Sequence, residues 1–294
     1  MYTKFKGTGV ALITPFDDRL NVDFNALEKV VNHTIEQGVD YLVVQGTTGE
    51  SVTIKENEKL DILNAVNNIN KGKPIVMGIG GNDTEKILAQ IDVLSKIHFD
   101  AILSVCPYYN KPTQTGLINH FVRIADRSPK PVILYNVPGR TSINLSAEST
   151  AILSEHNNII AVKEASGDFN QAVEIIKRSD KDFLLISGDD FLTLPLISIG
   201  AAGVISVLAN ALTKQICDIV TYGLQNEYKM AQDILYTISG INSLMYQEGN
   251  PTGVKGLLEV MGICNGDVRL PLVHASDHLM KQIEKHYNEI KNPA

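Results

Sequence analysis

Ile159-Ile160-Ala161-Val162-Lys163-Glu164-Ala165-Ser166-Gly167-Asp168 is the stretch from which the rest of the chain can be read. Its first four residues are continuously apolar rather than alternating, the pattern of a parallel strand covered on both faces. The run closes on a primary amine. Taking an ammonium out of water costs several kcal/mol unless it is paired or loses its proton. A lysine held neutral in such surroundings is a nucleophile towards carbonyl carbon and forms Schiff bases. A lone strand-end lysine ordinarily points into solvent. The ends of the other strands decide between the two readings.

Working outward, seven more runs of this kind occur at 8–13, 41–45, 74–79, 101–106, 131–135, 183–187 and 203–207. Successive starts lie 20 to 33 residues apart, room for one helix in each gap. Helix signals fill the gaps. Phe24, Leu27, Val30, Val31 and Ile35 fall at helical spacing between the first two runs. Thr53 with Glu56 reads as a capping box ahead of Leu60, Leu63, Val66 and Ile69. Asn82 with Glu85 opens another helix, bearing Ile87, Ile91 and Leu94. Eight β-then-α units predict an α/β fold, a (β/α)8 TIM barrel, with a doubly wound open sheet as the structural alternative. Residues 1–208 are expected to form the barrel core. Residues 209–294 carry helical patterns at 209–224, 228–246, 252–260 and 276–290, read as an extension packed on the barrel in one structural unit.

Bulk properties narrow the function. The chain has 294 residues, 44% hydrophobic and 20% charged, with a net charge of −7 and no block of Lys or Arg. A nucleic-acid or membrane-surface partner is therefore not expected. No apolar stretch approaches the roughly 18 residues of a membrane span, and the first residues do not read as a signal peptide. Cys106, Cys217 and Cys264 are far apart and odd in number, as in reduced cytosolic proteins. The expected location is the cytoplasm.

Barrel enzymes place their reactive groups at the C-terminal ends of the strands. Strand two leads into Gly46-Thr47-Thr48-Gly49-Glu50-Ser51, two hydroxyls between glycines that suit a small carboxylate; alone, this is a plain turn before a helix. Strand four leads into Cys106-Pro107-Tyr108-Tyr109-Asn110, and strand five into Tyr135-Asn136-Val137-Pro138-Gly139-Arg140-Thr141. Strand-end tyrosines are often packing residues with one satisfied hydroxyl. Together the ends offer hydroxyls, phenols and one amine, a set suited to imine chemistry with a proton relay. Arg140 is a natural partner for a carboxylate, and on its own would read as a surface salt bridge. Asp189 and Asp190, after strand seven, argue against a phosphorylated substrate. His274 and His278 stand four apart in what reads as a late helix, without a third ligand nearby, so no metal site is expected. Gly78-Ile79-Gly80-Gly81 begins like a dinucleotide fingerprint, but Asp83 stands where the third glycine belongs.

At these residues the chain resembles the 4-hydroxy-tetrahydrodipicolinate (dihydrodipicolinate) synthase family. Gly46-Thr47-Thr48-Gly49-Glu50, Pro107-Tyr108-Tyr109-Asn110-Lys111-Pro112, Tyr135 through Thr141 and Val162 through Asp168 look like its four signatures, in order. The resemblance implies condensation of pyruvate with L-aspartate 4-semialdehyde, on the way to diaminopimelate and lysine. It implies that Lys163 forms the imine and that Tyr135, Thr47 and Tyr109 relay protons. Thr48, the backbone at Ile205 and Gly188 match positions on the substrate side, and Arg140 matches the residue that takes the semialdehyde's carboxylate. A homo-oligomer, dimer or tetramer, is implied, with Tyr109 entering the neighbour's site, and no metal or organic cofactor. Ser51, Asn82, Lys86 and Tyr108 match positions of an allosteric lysine pocket. Glu56 and Lys59 stand where inhibited members often have histidines, and Lys86 where they have a glutamate. The alternatives are a related pyruvate-dependent lyase, such as N-acetylneuraminate lyase or a keto-deoxy-sugar aldolase, and a non-catalytic keto-acid-binding barrel. The lyases usually have serine in place of Thr47 and lack the arginine matching Arg140.

Overall fold

The computed structural model describes residues 2–292. Eight parallel strands, β1 (Gly7–Ala11), β2 (Tyr41–Val44), β3 (Ile75–Gly78), β4 (Ala101–Val105), β5 (Val132–Asn136), β6 (Ile159–Glu164), β7 (Leu184–Ser187) and β8 (Gly203–Ser206), close into a barrel in chain order. Closure runs from Gly7↔Gly203 to Val10↔Ser206, which excludes the open sheet. Each strand begins and ends within two residues of its expected run.

Helices α1 (Phe24–Glu36), α2 (Glu56–Ile69), α3 (Thr84–Leu94), α4 (Gln114–Arg127), the short α5 (Pro138–Thr141), α6 (Ala147–Ser154), α7 (Phe169–Arg178), α8 (Thr193–Ser198) and α9 (Thr213–Leu224) follow the strands in turn. α9 packs on β1 and β8 and so completes the outer ring. Beyond it, α10 (Tyr228–Asn242) packs on α9, and α11 (Leu244–Gln247), α12 (Thr252–Val260) and α13 (Asp277–Lys291) pack on one another. The helical pattern at 209–224 is broken near its start by a 3-10 turn (Leu208–Asn210), and that at 228–246 is split between α10 and α11.

Local capping differs from expectation at two starts. Thr53 does not cap α2: its hydroxyl donates to the carbonyl of Glu50 at 3.0 Å. The carboxylate that turns back on the helix start is Glu58, which accepts the Lys55 amide at 2.8 Å. Glu56 is therefore free of that duty and pairs with Lys59 at 2.7 Å. The cap of α3 is Asp83, not Asn82, its side chain accepting the amides of Glu85 and Lys86. Such caps are each worth about 1 kcal/mol. Asp83, where the fingerprint glycine was missing, thus has a structural use.

Inward and outward faces divide the core in two. Val10, Leu42, Val44, Met77, Leu134 and Val162 pack against the helices, while Ala11, Val43, Val76, Leu103, Ile133 and Ile186 fill the barrel. The N-terminal end of the barrel is stoppered. Tyr41, fully buried at the first position of β2, lies across Gly9, where a Cβ would come within 2.2 Å of its ring. The ring of Phe5, edge-on with centroids 5.8 Å apart, backs it, and the tyrosine hydroxyl donates to the carbonyl of Val204 at 3.3 Å.

Candidate active site

Strand alternation sends Lys163 into the barrel and Glu164 out of it. Lys163 is 4% exposed, pairs in register with Tyr135 on β5, and holds its Nζ 4.5 Å from the centre of that ring. Among the described residues the amine has no ion pair and no hydrogen bond, only the tyrosine face. The chain buries a second lysine, Lys255 on α12, and the contrast is instructive. Lys255 donates to Glu50 Oε1 at 2.6 Å and to the Asp267 carbonyl at 2.7 Å, and lies 4.1 Å from the Phe16 ring centre. Burial pulls its pKa below the ordinary lysine value, opposed by the Glu50 carboxylate. A buried lysine with a full set of partners is structural; one without them is available for reaction. Sequence reading singled out Lys163 and missed Lys255, although Gly253-Val254-Lys255-Gly256-Leu257-Leu258 carries the same signal of a lysine inside an apolar run.

Glu164 ties the neighbouring loops together. Its carboxylate accepts from Asn136 Nδ2 at 3.0 Å, from the Ser166 amide at 2.6 Å and from Gln171 Nε2 at 3.1 Å. Asn136, through Oδ1, accepts the Leu145 amide at 2.9 Å. The ends of β5 and β6, which carry Tyr135 and Lys163, are thereby locked side by side.

The threonine loop is bracketed by two non-glycine residues in the left-handed region, Gln45 at φ 58° and Glu50 at φ 55°. Each such backbone costs about 1–2 kcal/mol and persists only where side chains hold it. Gln45 Nε2 donates to the Lys59 carbonyl at 2.8 Å, and Glu50 is held by Lys255 and by the Arg269 amide at 3.0 Å. Between them Thr48 is buried, its Oγ1 accepting from Asn250 Nδ2 at 3.1 Å, while Thr47 is half-buried.

Thr47, Tyr135 and Arg140 line one cavity of about 480 Å³. The same cavity continues outward past Ser51, Tyr108, Asn82 and Lys86, with Glu56 and Lys59 on its wall. Part of the sequence-assigned site and the possible allosteric pocket therefore share one space in the single chain. Lys163 adjoins it through Tyr135. Thr48, Gly188 and Ile205 are not on its wall. Ile205 is fully buried inside the barrel, and Gly188 continues β7, its amide donating to the Glu164 carbonyl at 2.7 Å. A Cβ at Gly188 would meet that of Ala165 at 2.6 Å, so only glycine passes there. Tyr109 stands apart: it is 88% exposed, on a backbone with φ 72°.

Two groups lie differently from expectation. The carboxylates after β7 do not face a substrate. Asp189 Oδ1 accepts the amides of Phe191 and Leu192, and the buried Asp190 accepts those of Val207 and Leu208 at 3.1 and 2.9 Å. Burial raises the Asp190 carboxyl above the usual range. The amides after β8, where many barrels hold phosphate, are occupied by the protein's own carboxylate. His274 does not share a helix with His278; it precedes α13 and pairs with Glu259 at 2.8 Å. Among the described residues no group of three or more potential ligands is arranged to hold a metal ion, and no helix is long and apolar enough to cross a membrane.

Comparison with known proteins agrees with this geometry. Residues 4–290 match the model of the dihydrodipicolinate synthetase family. The chain is similar to the 4-hydroxy-tetrahydrodipicolinate synthase of Cytophaga hutchinsonii, 49% identical over 97% of both chains. Among solved structures it resembles a dihydrodipicolinate synthase at 39% identity, with a TM-score of 0.94 over 98% of this chain and 99% of that one. It also resembles the Acinetobacter baumannii dihydrodipicolinate synthase complexed with pyruvate, at 34% identity and a TM-score of 0.95 over 97% and 99%. The likeness runs from the first strand through the last helix, and the chain belongs to the dihydrodipicolinate synthetase family.

Proposed function

We propose that this chain is a 4-hydroxy-tetrahydrodipicolinate synthase, condensing pyruvate with L-aspartate 4-semialdehyde. The observation that carries the reading is a lysine buried at the end of β6 with no counter-charge, set against the ring of Tyr135. The Lys163 amine adds to the pyruvate carbonyl and water leaves, giving the imine. Loss of a methyl proton gives the enamine, whose carbon forms the new bond to the aldehyde. The semialdehyde's amine then attacks the imine carbon, closes the ring and displaces Lys163. Tyr135 passes protons in these steps with Thr47 and Tyr109. Thr48, the Ile205 backbone and Gly188 hold the pyruvate side, and Arg140, at the cavity wall, takes the carboxylate of the semialdehyde.

Because Tyr109 is exposed in the single chain, the reading requires a homo-oligomer in which it enters the neighbour's site. The enzyme works in the cytoplasm, in diaminopimelate and lysine biosynthesis. Arg140 and Thr47 favour this reaction over a sugar-acid lyase. Borohydride reduction in the presence of pyruvate tests the mechanism. It traps a covalent adduct on Lys163, located by peptide mass mapping, and abolishes pyruvate-dependent consumption of the semialdehyde. An adduct on another residue, or none, overturns it.

A further inference from the structure

The groups that hold the threonine loop come from the C-terminal extension, 202 and 205 residues along the chain from their partners. Asn250 is 6% exposed and spends its Nδ2 donor on Thr48 Oγ1 at 3.1 Å. A hydroxyl has one proton and two lone pairs. With a lone pair occupied by Asn250, the Thr48 proton is left to be donated, which is the polarity a bound carboxylate needs. Two residues on, Lys255 and the Arg269 amide take both oxygens of Glu50, the residue whose left-handed backbone ends the loop. Lys255 is fully buried and fixed in turn by the Asp267 carbonyl and the face of Phe16. The loop is thus pinned at its second threonine and at its end.

We propose that Asn250 and Lys255 are positioning residues for the keto acid. Asn250 sets the direction of the Thr48 proton, and Lys255, through Glu50, fixes the backbone that carries Thr48. This rests on the reading of Lys163 as the pyruvate-binding amine. The extension is in this sense part of the binding site, although it contributes no group to the chemistry.

Pyruvate dissociation constants, read by borohydride trapping on Lys163 in the enzyme as purified, test the proposal. Asn250→Ala weakens pyruvate about tenfold, the scale of one lost hydrogen bond. Asn250→Asp weakens it further, about a hundredfold, because the carboxylate takes the Thr48 proton and opposes the substrate's charge. A packing role gives the opposite order, since Asp has the shape of Asn and Ala leaves a hole. That order, or unchanged constants in both variants, overturns the Asn250 part. The double variant Glu50→Gln with Lys255→Met removes both charges together, a change that folded proteins commonly tolerate. It raises the pyruvate constant about tenfold and leaves the KM for the semialdehyde within about twofold. Wild-type pyruvate binding in that double variant overturns the Lys255 part. Absence of any Lys163 adduct in the unmodified enzyme would instead remove the underlying reading.

Discussion

Replacing Lys163 by methionine ends imine formation and makes the folded chain more stable. Methionine keeps most of the lysine stem and deletes the ammonium. Lys163 is 4% exposed and its Nζ keeps some contact with solvent, so the unpaired ammonium is only partly withdrawn from water, at a penalty on the order of 3 kcal/mol. The Tyr135 ring at 4.5 Å offsets about 1–2 kcal/mol of that. A gain of about 1–2 kcal/mol remains for the variant, the exchange of stability for activity that reactive sites commonly show. Urea unfolding followed by circular dichroism, at equal protomer concentration because association adds to stability, reads it directly. The midpoint moves up by about 0.5 M for a chain of this size, with the slope unchanged. Added pyruvate raises the wild-type midpoint and leaves that of Lys163→Met where it was. A variant less stable than the wild type would refute the argument, because it would mean the lysine is a satisfied structural group like Lys255.

Further outcomes follow from the same geometry. Arg140→Ala still forms the pyruvate imine in borohydride trapping, while kcat/KM for the semialdehyde falls at least about tenfold; equal loss of trapping would assign Arg140 to the fold or the first substrate. Tyr109→Phe loses most activity, and mixing it with Lys163→Ala subunits regenerates working sites; mixed oligomers without activity would show that each site is built within one chain. His120 on α4 is buried, and burial holds its ring down to about 4 from 6.5. The unfolded chain therefore binds that proton first, and stability on the order of 3 kcal/mol is lost as pH falls through the window from 6.5 to about 4. In His120→Gln that loss disappears from acid titrations of the unfolding free energy, and an unchanged pH slope would count against it. Free lysine inhibits weakly: Glu56 is already paired with Lys59 at 2.7 Å and Asp83 faces Lys86 at 3.9 Å, so the carboxylates at the outer end of the cavity each have a cation already. Rates at saturating substrates over rising lysine decide this, and strong partial inhibition below about 1 mM would contradict it.

The strands were legible because each is covered on both faces, so that β3 and β6, for example, read as unbroken apolar runs bounded by turns. Helix starts were legible only to a residue or two. Thr53, Lys55 and Glu58, or Asn82 and Asp83, are near-equivalent in sequence, and the backbone angles choose among them. Lys163 declared itself by local contrast. The difference between it and Lys255 did not, because that depends on Glu50, 205 positions away in the chain. Asp190 misled for a related reason: a carboxylate at the mouth of a barrel reads as facing solvent or ligand until the amides of Val207 and Leu208 are folded over it.

The stopper formed by Tyr41 and Phe5, with the side chains that fill the barrel above it, leaves the site a single mouth at the C-terminal ends of the strands. Traffic through a single mouth is last in, first out. With Lys163 as the proposed pyruvate-binding amine, the keto acid loads first and the second reactant reaches it afterwards from the loops. The finished ring has one exit, and the next pyruvate waits until it has gone. The proposed imine and the single mouth together call for a double-displacement kinetic pattern, and the floor that closes the other way lies at the end of the strands farthest from the chemistry.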